Sequence, residues 1–361
     1  MRARPILVPL LAALLLLTGA AAARASYDPI SGGATRFTLD KRLFALLKEH
    51  HVELLAKEPV RVRGRTVIFP VSGGMLDPVA ARGTVEHEGA LVFKAGRRKL
   101  PMRDLILKTT QARSPLAAKF GGGKLKLASS ARLRNARAGF GLRSSVSSVL
   151  LSQKVAVRLD KKLQLRGVFK EGQPLGSSVT NAQPATTAVL PSGRLALVPA
   201  PAFLAKLREL FVSLNPIAPA ELAPGPVLTL PIFGGNLAPD ASTGTLTTEG
   251  SLEFLQLGGG QIFWQAPSLD FGLHLAGAEV DLEPSPPYAG KLGPVGILDL
   301  AAGAVSSEPA EQKISVANAA LTMQPATAAA FNDAFAKPQG REGVFQAGEA
   351  LGSISFTAQG Q

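Results

Sequence analysis

An internal duplication is the feature that most restricts the fold of this chain. Val67–Phe93 and Leu228–Phe254 align without a gap at an offset of 161 residues, with 12 identities in 27 positions. Several identical positions hold glycine or proline, which define backbone turns because proline restricts φ and glycine adopts conformations closed to other residues. We therefore predict two copies of one backbone with the same turns in each.

A second matched block closes each copy. Gly167–Ser177 and Gly343–Ser353 are identical at 7 of 11 positions, now at an offset of 176. The second copy has therefore gained 15 residues between the blocks, and the acidic, proline-rich stretch Ala278–Gly290 is the candidate for part of that insertion. Two copies are too few for a solenoid, which favours tandem globular domains. The predicted organisation is a leader at 1–25, a first repeat at 27–180, a linker at 181–187 and a second repeat at 188–361.

The first 25 residues have the pattern of a secretory signal peptide. Arg2 and Arg4 precede an apolar core, Ile6–Leu17, and small residues follow at Ala21–Ala25. The alternative is a membrane anchor, but the apolar core is shorter than the ~20 residues that span a bilayer. We expect cleavage near Ala25 and a protein that is secreted or associated with the cell envelope.

Each repeat has the pattern of a mainly β (α+β) domain. Short segments alternate apolar and charged residues between Gly/Pro/Asp turns, as in half-buried antiparallel strands. Stretches with apolar residues at helical spacing interrupt them. We predict two tandem antiparallel β-sandwich-like domains with two short helices each. The predicted helices are Lys41–Lys57 and Ser147–Leu163 in the first repeat, and Pro201–Leu214 and Pro325–Phe335 in the second.

The composition and the missing sequence motifs exclude several classes of catalytic and metal site. The chain has no cysteine, which excludes disulfides, thiolate metal sites and thiol nucleophiles. It contains no G-x-S-x-G, no H-E-x-x-H and no Walker loop. We therefore predict a protein that is not an enzyme and that has no metal site.

The charge is divided unevenly between the repeats. The net charge is +13, made of +21 in residues 1–181 and −8 in residues 182–361. Nucleic-acid binding would also require exposed aromatic residues for stacking, and with one Trp and two Tyr in the chain no nucleic-acid partner is expected. Anionic cell-wall polymer, lipid head groups or a haem propionate fit better, and the alternative is a contact between the basic and acidic repeats, within or between molecules. The predicted anion-binding surface comprises Arg61, Arg63, Arg65, Arg97, Arg98, Lys99, Lys124 and Lys126.

Three stretches carry a family resemblance. Gly83–Leu91 has the form G-x-V…H-x-G-x-L, and Phe169–Gly176 and Phe345–Gly352 have the form F…A-G-x-x-L or close to it. In this order, with helices and strands between them, they resemble the HtaA domain, a secreted haem-transport-associated module of actinobacteria. The resemblance implies a β-rich, exported, non-enzymatic module that captures haem with a tyrosine of its first helix. It implies that the histidine of the H-x-G-x-L segment and a further tyrosine near the end of the domain assist.

Only one of the haem-binding residues of that family has a match in this sequence. His87 matches the histidine, whereas the second repeat has Thr248 there. The first predicted helix contains Phe44 and no tyrosine, and the closing aromatics are Phe169 and Phe345. His87 is therefore the candidate haem-binding residue. The alternative is a surface histidine beside a predicted hairpin at Glu88-Gly89, which would join Thr84–His87 to Ala90–Phe93.

Two functions remain open from the sequence. The first is ligand capture, with haem as the candidate cofactor and His87 as its contact. The second is an envelope-associated structural or adhesive protein whose basic first repeat binds anionic polymer or lipid.

Overall fold

The computed structural model describes residues 27–113, 115–283, 294–299 and 305–361. The predicted leader and most of the predicted insertion therefore lie outside the described residues. Every strand pairing in the described part of the chain is antiparallel, and the strands form two sheets. This confirms the predicted mainly β fold.

The first sheet draws its strands from residues 28–184. Alternating burial along them shows that one face of each strand packs on the core, as in the pattern of β4 and β12. The strands are β1 (Asp28–Leu39), β2 (Val52–Lys57), β3 (Arg61–Arg63), β4 (Thr66–Asp77), β5 (Arg82–His87), β6 (Ala90–Ala95), β7 (Arg98–Lys108), β8 (Leu116–Phe120), β9 (Gly123–Lys126), β10 (Ala128–Ala138), β11 (Gly141–Leu151) and β12 (Pro174–Pro184).

The second sheet draws its strands from residues 187–359. They are β13 (Thr187–Val189), β14 (Arg194–Pro199), β15 (Val212–Ile217), β16 (Glu221–Ala223), β17 (Val227–Leu237), β18 (Gly244–Thr248), β19 (Ser251–Gln256), β20 (Gln261–Asp270), β21 (Leu275–Glu283), β22 (Pro294–Asp299), β23 (Val305–Glu308), β24 (Lys313–Met323) and β25 (Ala350–Gln359).

Two helices accompany each sheet. They are α1 (Lys41–Glu49) and α2 (Gln153–Leu163) in the first repeat, and α3 (Pro201–Glu209) and α4 (Pro325–Phe331) in the second. A π-helical turn, Asn332–Ala336, extends α4. None of the helices in the described ranges is long and apolar enough to cross a membrane.

The two sheets have the same central order. The opening strand lies between the closing strand and the strand that carries the Gly-Gly pair, as β12–β1–β4 in the first repeat and β25–β14–β17 in the second. The outer parts differ, because β21 pairs with β22 and β22 with β24, whereas β9 pairs only with β8. The duplicated blocks therefore build a common centre.

The first predicted helix of each repeat was too long. α1 ends at Glu49 and Val52–Lys57 is strand β2, while α3 ends at Glu209 and Val212–Ile217 is strand β15. Leu54 and Leu55 fit a helical stripe, but their backbones pair with β6 in the register Leu54↔Phe93 and Leu55↔Val92. Pairing with a distant strand outweighs local helical spacing here. Similarly, the start of the predicted helix Ser147–Leu163 belongs to β11.

The predicted hairpin at Glu88-Gly89 was wrong. β5 pairs with β4 and β7, and β6 pairs with β7 and β2, so the two strands that flank this turn are not partners. Gly89 has φ +85° and lies against Val60 and Pro59, where a β-carbon would be 2.7 Å from Val60. The turn therefore carries the chain across the sheet.

Each repeat has its own apolar core, and the two repeats also touch. Phe140, from the turn between β10 and β11, is buried with the core of the second repeat. Across the same junction the backbone N–H of Ala188 donates to Asp28 Oδ1 at 3.3 Å, and Arg137 donates to the backbone oxygen of Gln361. The repeats therefore touch through apolar contacts and hydrogen bonds. Among the described residues, each ion pair joins two side chains of the same repeat.

Candidate functional site

His87 ends strand β5 and is buried, with 4% of its surface exposed. Its Nδ1 lies 2.8 Å from the carbonyl oxygen of Leu105 and its Nε2 lies 2.6 Å from Thr35 Oγ1. A carbonyl only accepts hydrogen bonds, so Nδ1–H donates to Leu105 and Nε2 accepts from the Thr35 hydroxyl. The interpretation of His87 as a surface histidine was therefore wrong, because the chain crosses the sheet at this point instead of forming an exposed hairpin.

The hydrogen bonds continue into the centre of the sheet. Thr35 Oγ1 lies 2.6 Å from Thr180 Oγ1. Because Thr35 donates to His87, it accepts from Thr180, which gives a buried polar chain from β12 through β1 to β5 and β7. The second repeat has Leu195, Phe356 and Thr248 at the equivalent positions. There Thr248 Oγ1 donates to the carbonyl oxygen of Pro267, which corresponds to Leu105.

This polar chain makes stability depend on pH. Burial lowers the pKa of His87 from 6.5 to about 4. Below pH ~6.5 the imidazole of His87 is protonated in the unfolded chain but stays neutral in the folded chain. The free energy of unfolding should therefore fall by up to ~3 kcal/mol as the pH drops to ~4. The measurement is chemical denaturation across this range in the parent and in His87→Thr, which copies the second repeat.

The parent and His87→Thr are compared at each pH because titration of Asp28 changes stability in the opposite direction. Burial raises the pKa of Asp28 to about 6, so its carboxyl favours the folded state at low pH. Asp28 is present in both proteins, and the difference between them isolates His87. An equal pH dependence in parent and variant would contradict the assignment.

The described residues do not fit an iron site at His87. Both ring nitrogens are engaged, and the lone pair of Nε2 accepts from Thr35. Tyr27 is the only tyrosine in the described ranges and is half exposed at the start of β1, and Phe169 and Phe345 are buried without an oxygen to offer. Within the described ranges, no three His, Cys, Asp or Glu side chains are grouped to hold a metal ion.

An apolar cavity lies in the core of the first repeat, between the sheet and the two helices, and its lining does not include His87. Its volume is about 30 Å³, and its lining includes Phe69, Leu105 and Phe169 but no polar side chain. A space of this size holds about one water, which would find no partner there, and it is far too small for a macrocycle. The second repeat fills its core with aromatic rings. Leu43, Met102, Val155 and Leu159 of the first repeat correspond to Phe203, Trp264, Phe331 and Phe335 of the second.

The predicted anion-binding residues lie on different elements. Arg61 and Arg63 are exposed on β3, whereas the Arg65 guanidinium donates to the Leu39 carbonyl oxygen at 2.9 Å. The exposed side chains of Arg97, Arg98 and Lys99 follow β6, at its turn into β7, and Lys124 and Lys126 are exposed on β9.

The most concentrated basic site lies on α2 and contains none of the predicted anion-binding residues. A surface groove of about 530 Å³ runs between this helix and β9. Lys154, Arg158, Lys161 and Lys162 line it, together with Gln153, Val157 and Leu125. We call this the α2 groove. Lys124 and Lys126 flank Leu125 and point to the opposite face of β9, because successive residues of a strand alternate.

The basic side chains of the α2 groove make no ion pair within the described fold. Asp160, the one acidic residue of α2, instead accepts from the backbone N–H groups of Gly167 and Phe169 at 3.0 and 3.1 Å. Lys154, Arg158 and Lys162 are spaced four residues apart, and like charges at this spacing destabilise a helix by ~0.2–0.5 kcal/mol per pair. Lys161 and Lys162 also lie in the last turn of α2, where cations interact favourably with the helix dipole, but the dipole does not require Lys154 and Arg158.

The second repeat lacks the cluster. Ala330, Ala334 and Pro338 stand where the first repeat has Lys154, Arg158 and Lys162. Lys337, equivalent to Lys161, pairs with Asp333. Val157 lies in the middle of the groove with 58% of its surface exposed, so the site combines four cations with an accessible apolar surface. The spacing of the four cations is a signal that the sequence does contain, because all four lie within the predicted helix Ser147–Leu163.

Comparison with known proteins identifies solved structures and no family model. No protein-family model matches the chain, and no curated protein matches it. The C-terminal domain of HtaA from Corynebacterium glutamicum matches at 19% identity and a TM-score of 0.37, covering 48% of this chain and 98% of that one. The N-terminal domain of the same HtaA matches at 15% identity and a TM-score of 0.33, covering 48% and 99%.

The heme binding protein HtaB from Corynebacterium glutamicum matches at 11% identity and a TM-score of 0.29, covering 44% of this chain and 96% of that one. Each of these structures spans about half of the chain. Each of the matched domains is thus about as long as one repeat.

Proposed function

We propose that this is an exported, non-catalytic binding protein whose first repeat captures an anionic ligand at the α2 groove. The ligand chemistry is phosphate or carboxylate, presented by a polymer or lipid of the cell envelope. Export is inferred from the signal-like first 25 residues, and the absence of catalysis from the motifs and the HtaA-like pattern of the sequence.

The single observation that carries the proposal is the unpaired basic cluster on α2. Four cations within nine residues face one groove, and the acidic residue among them is engaged elsewhere. Because the like charges repel one another and make no bond within the described fold, an anion would relieve the repulsion. Val157 and Leu125 add an apolar floor that suits an amphiphilic anion.

Under this proposal, haem would bind through its anionic groups and not through coordination of its iron by His87. Its two propionates are carboxylates, so hemin belongs among the probes. The geometry at His87 offers no free ring nitrogen, and the hemin spectrum should therefore be the same for the parent and His87→Ala. A change in the Soret band that His87→Ala removes would restore the iron-ligand interpretation.

Salt dependence tests the proposal. For a chain lacking residues 1–25, binding to inorganic polyphosphate should weaken by about 50-fold between about 50 and about 200 mM salt, the slope expected when roughly four cations replace counterions on a flexible polyanion. Vesicles containing phosphatidylglycerol form the second arm and distinguish a lipid head group from a polymer. Binding that is insensitive to salt, or no binding to any of the three probes, would refute the proposal.

A further inference from the structure

The second repeat carries three apolar side chains on its surface at one end of the β15–β19 pair. Phe211, Leu255 and Leu257 have 72%, 38% and 88% of their surfaces exposed. Leu255 lies opposite Ser213 in the strand register, and the backbone N–H of Leu257 donates to the carbonyl oxygen of Phe211 at 3.3 Å. Alternation then places all three side chains on the outward face. We call these three residues the apolar tip.

The backbone of the apolar tip is held rigidly. Gln256, between the two leucines, points inward and is buried. Its Nε2 donates to the carbonyl oxygens of Leu210 and Phe335, both at 2.9 Å. Phe211 has φ +55°, the left-handed region that bulky residues rarely adopt. The structure therefore fixes an exposed phenylalanine in an unfavourable backbone conformation.

The fold itself does not require apolar residues at these positions. His51, Lys94 and Gly96 stand there in the first repeat. His51 has φ +54°, so the backbone is the same, and Lys94 forms an ion pair with Glu53 at 2.9 Å. One backbone thus presents two polar side chains and a glycine in the first repeat, and three large apolar side chains in the second.

We propose that the apolar tip inserts into the interfacial region of a lipid bilayer. Three side chains expose a few hundred Å² at most, whereas a stable protein interface buries about 800 Å² on each partner. Pro216 in the edge strand β15 has no N–H, which disfavours addition of a partner strand. Shallow insertion of Phe and Leu side chains needs neither a large area nor a strand edge.

The three side chains of the tip are uncharged. Near Phe211 in the chain, Glu209 pairs with Arg341 at 3.3 Å, which leaves the exposed Arg208 as a single net charge. Because the inserting groups carry no charge, insertion should depend little on salt and require no anionic lipid, unlike binding at the α2 groove. The inference does not rest on the proposed function, and the two are separated by the choice of vesicle.

The test is sedimentation of the chain lacking residues 1–25 with pure phosphatidylcholine vesicles at high salt. The double variant Phe211→His, Leu257→Gly copies the first repeat and should lower the partition coefficient by at least about tenfold, given the apolar area it removes. Phe233→Ser, which alters another exposed phenylalanine to the residue of the first repeat, is the matched control and should bind like the parent.

A second variant provides a test that does not depend on the folding of the double variant. Phe211→Trp should show a blue shift of its emission on addition of the same vesicles. The proposal is overturned if the parent does not bind neutral vesicles, if the double variant binds equally well, or if the emission does not shift. A concentration-dependent dimer that the double variant abolishes would assign the tip to a second copy of the chain and would also overturn it.

Discussion

Replacing Gly74 by alanine is expected to lower the free energy of unfolding of the first repeat by more than ~3 kcal/mol. Gly74 has φ +126°, and a β-carbon there would lie 2.0 Å from the carbonyl oxygen of Thr84 on the paired strand β5. Strand pairing fixes both atoms, so the contact can be relieved only by separating β4 from β5. The measurement is denaturant unfolding followed by far-ultraviolet circular dichroism.

The neighbouring glycine is the matched control. A β-carbon on Gly73 meets nothing within 4 Å, so Gly73→Ala should change stability by less than ~1 kcal/mol. The same contrast should recur in the second repeat. A β-carbon on Gly235 would lie 2.1 Å from the Thr245 carbonyl oxygen, whereas one on Gly234 would lie 3.6 Å from the Val189 carbonyl oxygen, an ordinary contact. Equal effects of the two glycines in either repeat would contradict the duplicated backbone.

Replacing Phe331 by alanine is expected to destabilise the second repeat by ~3–5 kcal/mol, the usual cost of removing a buried ring. Phe331 is fully buried at the centre of the aromatic core. Its ring centroid lies 4.9 Å from that of Phe254 and 5.2 Å from that of Phe345, with both pairs near perpendicular. Such edge-to-face contacts add ~0.5–1.5 kcal/mol each to the burial of apolar area.

Fluorescence can assign this loss to the second repeat. Trp264 is the only tryptophan of the chain, and its ring lies 5.9 Å from that of Phe331. Its emission should therefore report the unfolding of the second repeat, and the transition should move to lower denaturant. Val155→Ala, at the equivalent position beside the cavity of the first repeat, should leave the Trp264 transition in place. Movement of that transition by Val155→Ala would show that the repeats do not unfold separately.

The paired glycines also show how much of the fold can be predicted from sequence. The repeat and its antiparallel strands follow from the matched blocks of sequence, but the turn expected at the Gly-Gly pairs does not form, because Gly74 and Gly235 lie within strands β4 and β17. The ends of α1 and α3 do not follow from the sequence pattern either, because Leu54 and Leu55 satisfy a helical pattern and leave it only when β6 is present to pair with them. Burial of His87 likewise depends on Thr35, Thr180 and Leu105, which are distant in sequence.

The candidate site was partly predictable. Charge counting placed the basic surface in the first repeat, but it gave equal weight to Arg65, which serves the fold by donating to Leu39, and to exposed arginines such as Arg61. The four cations of the α2 groove lie within the predicted helix Ser147–Leu163, but the groove itself depends on the packing of this helix beside Leu125 of β9, which is distant in sequence. The apolar tip depends on the register of β15 with β19, which the sequence pattern does not specify.

The most direct test of the central claim is the affinity of a charge-neutralised α2 groove for inorganic polyphosphate. Replacing Lys154, Arg158, Lys161 and Lys162 together by glutamine should weaken binding at low salt by about 50-fold and flatten the salt dependence, since the groove would no longer replace counterions. The matched control replaces Arg61, Arg63, Arg97 and Arg98 by glutamine, which removes the same charge from other elements and should reduce affinity only a few-fold through the long-range field. An equal loss in the two variants, or an unchanged affinity after neutralising the groove, would contradict the account.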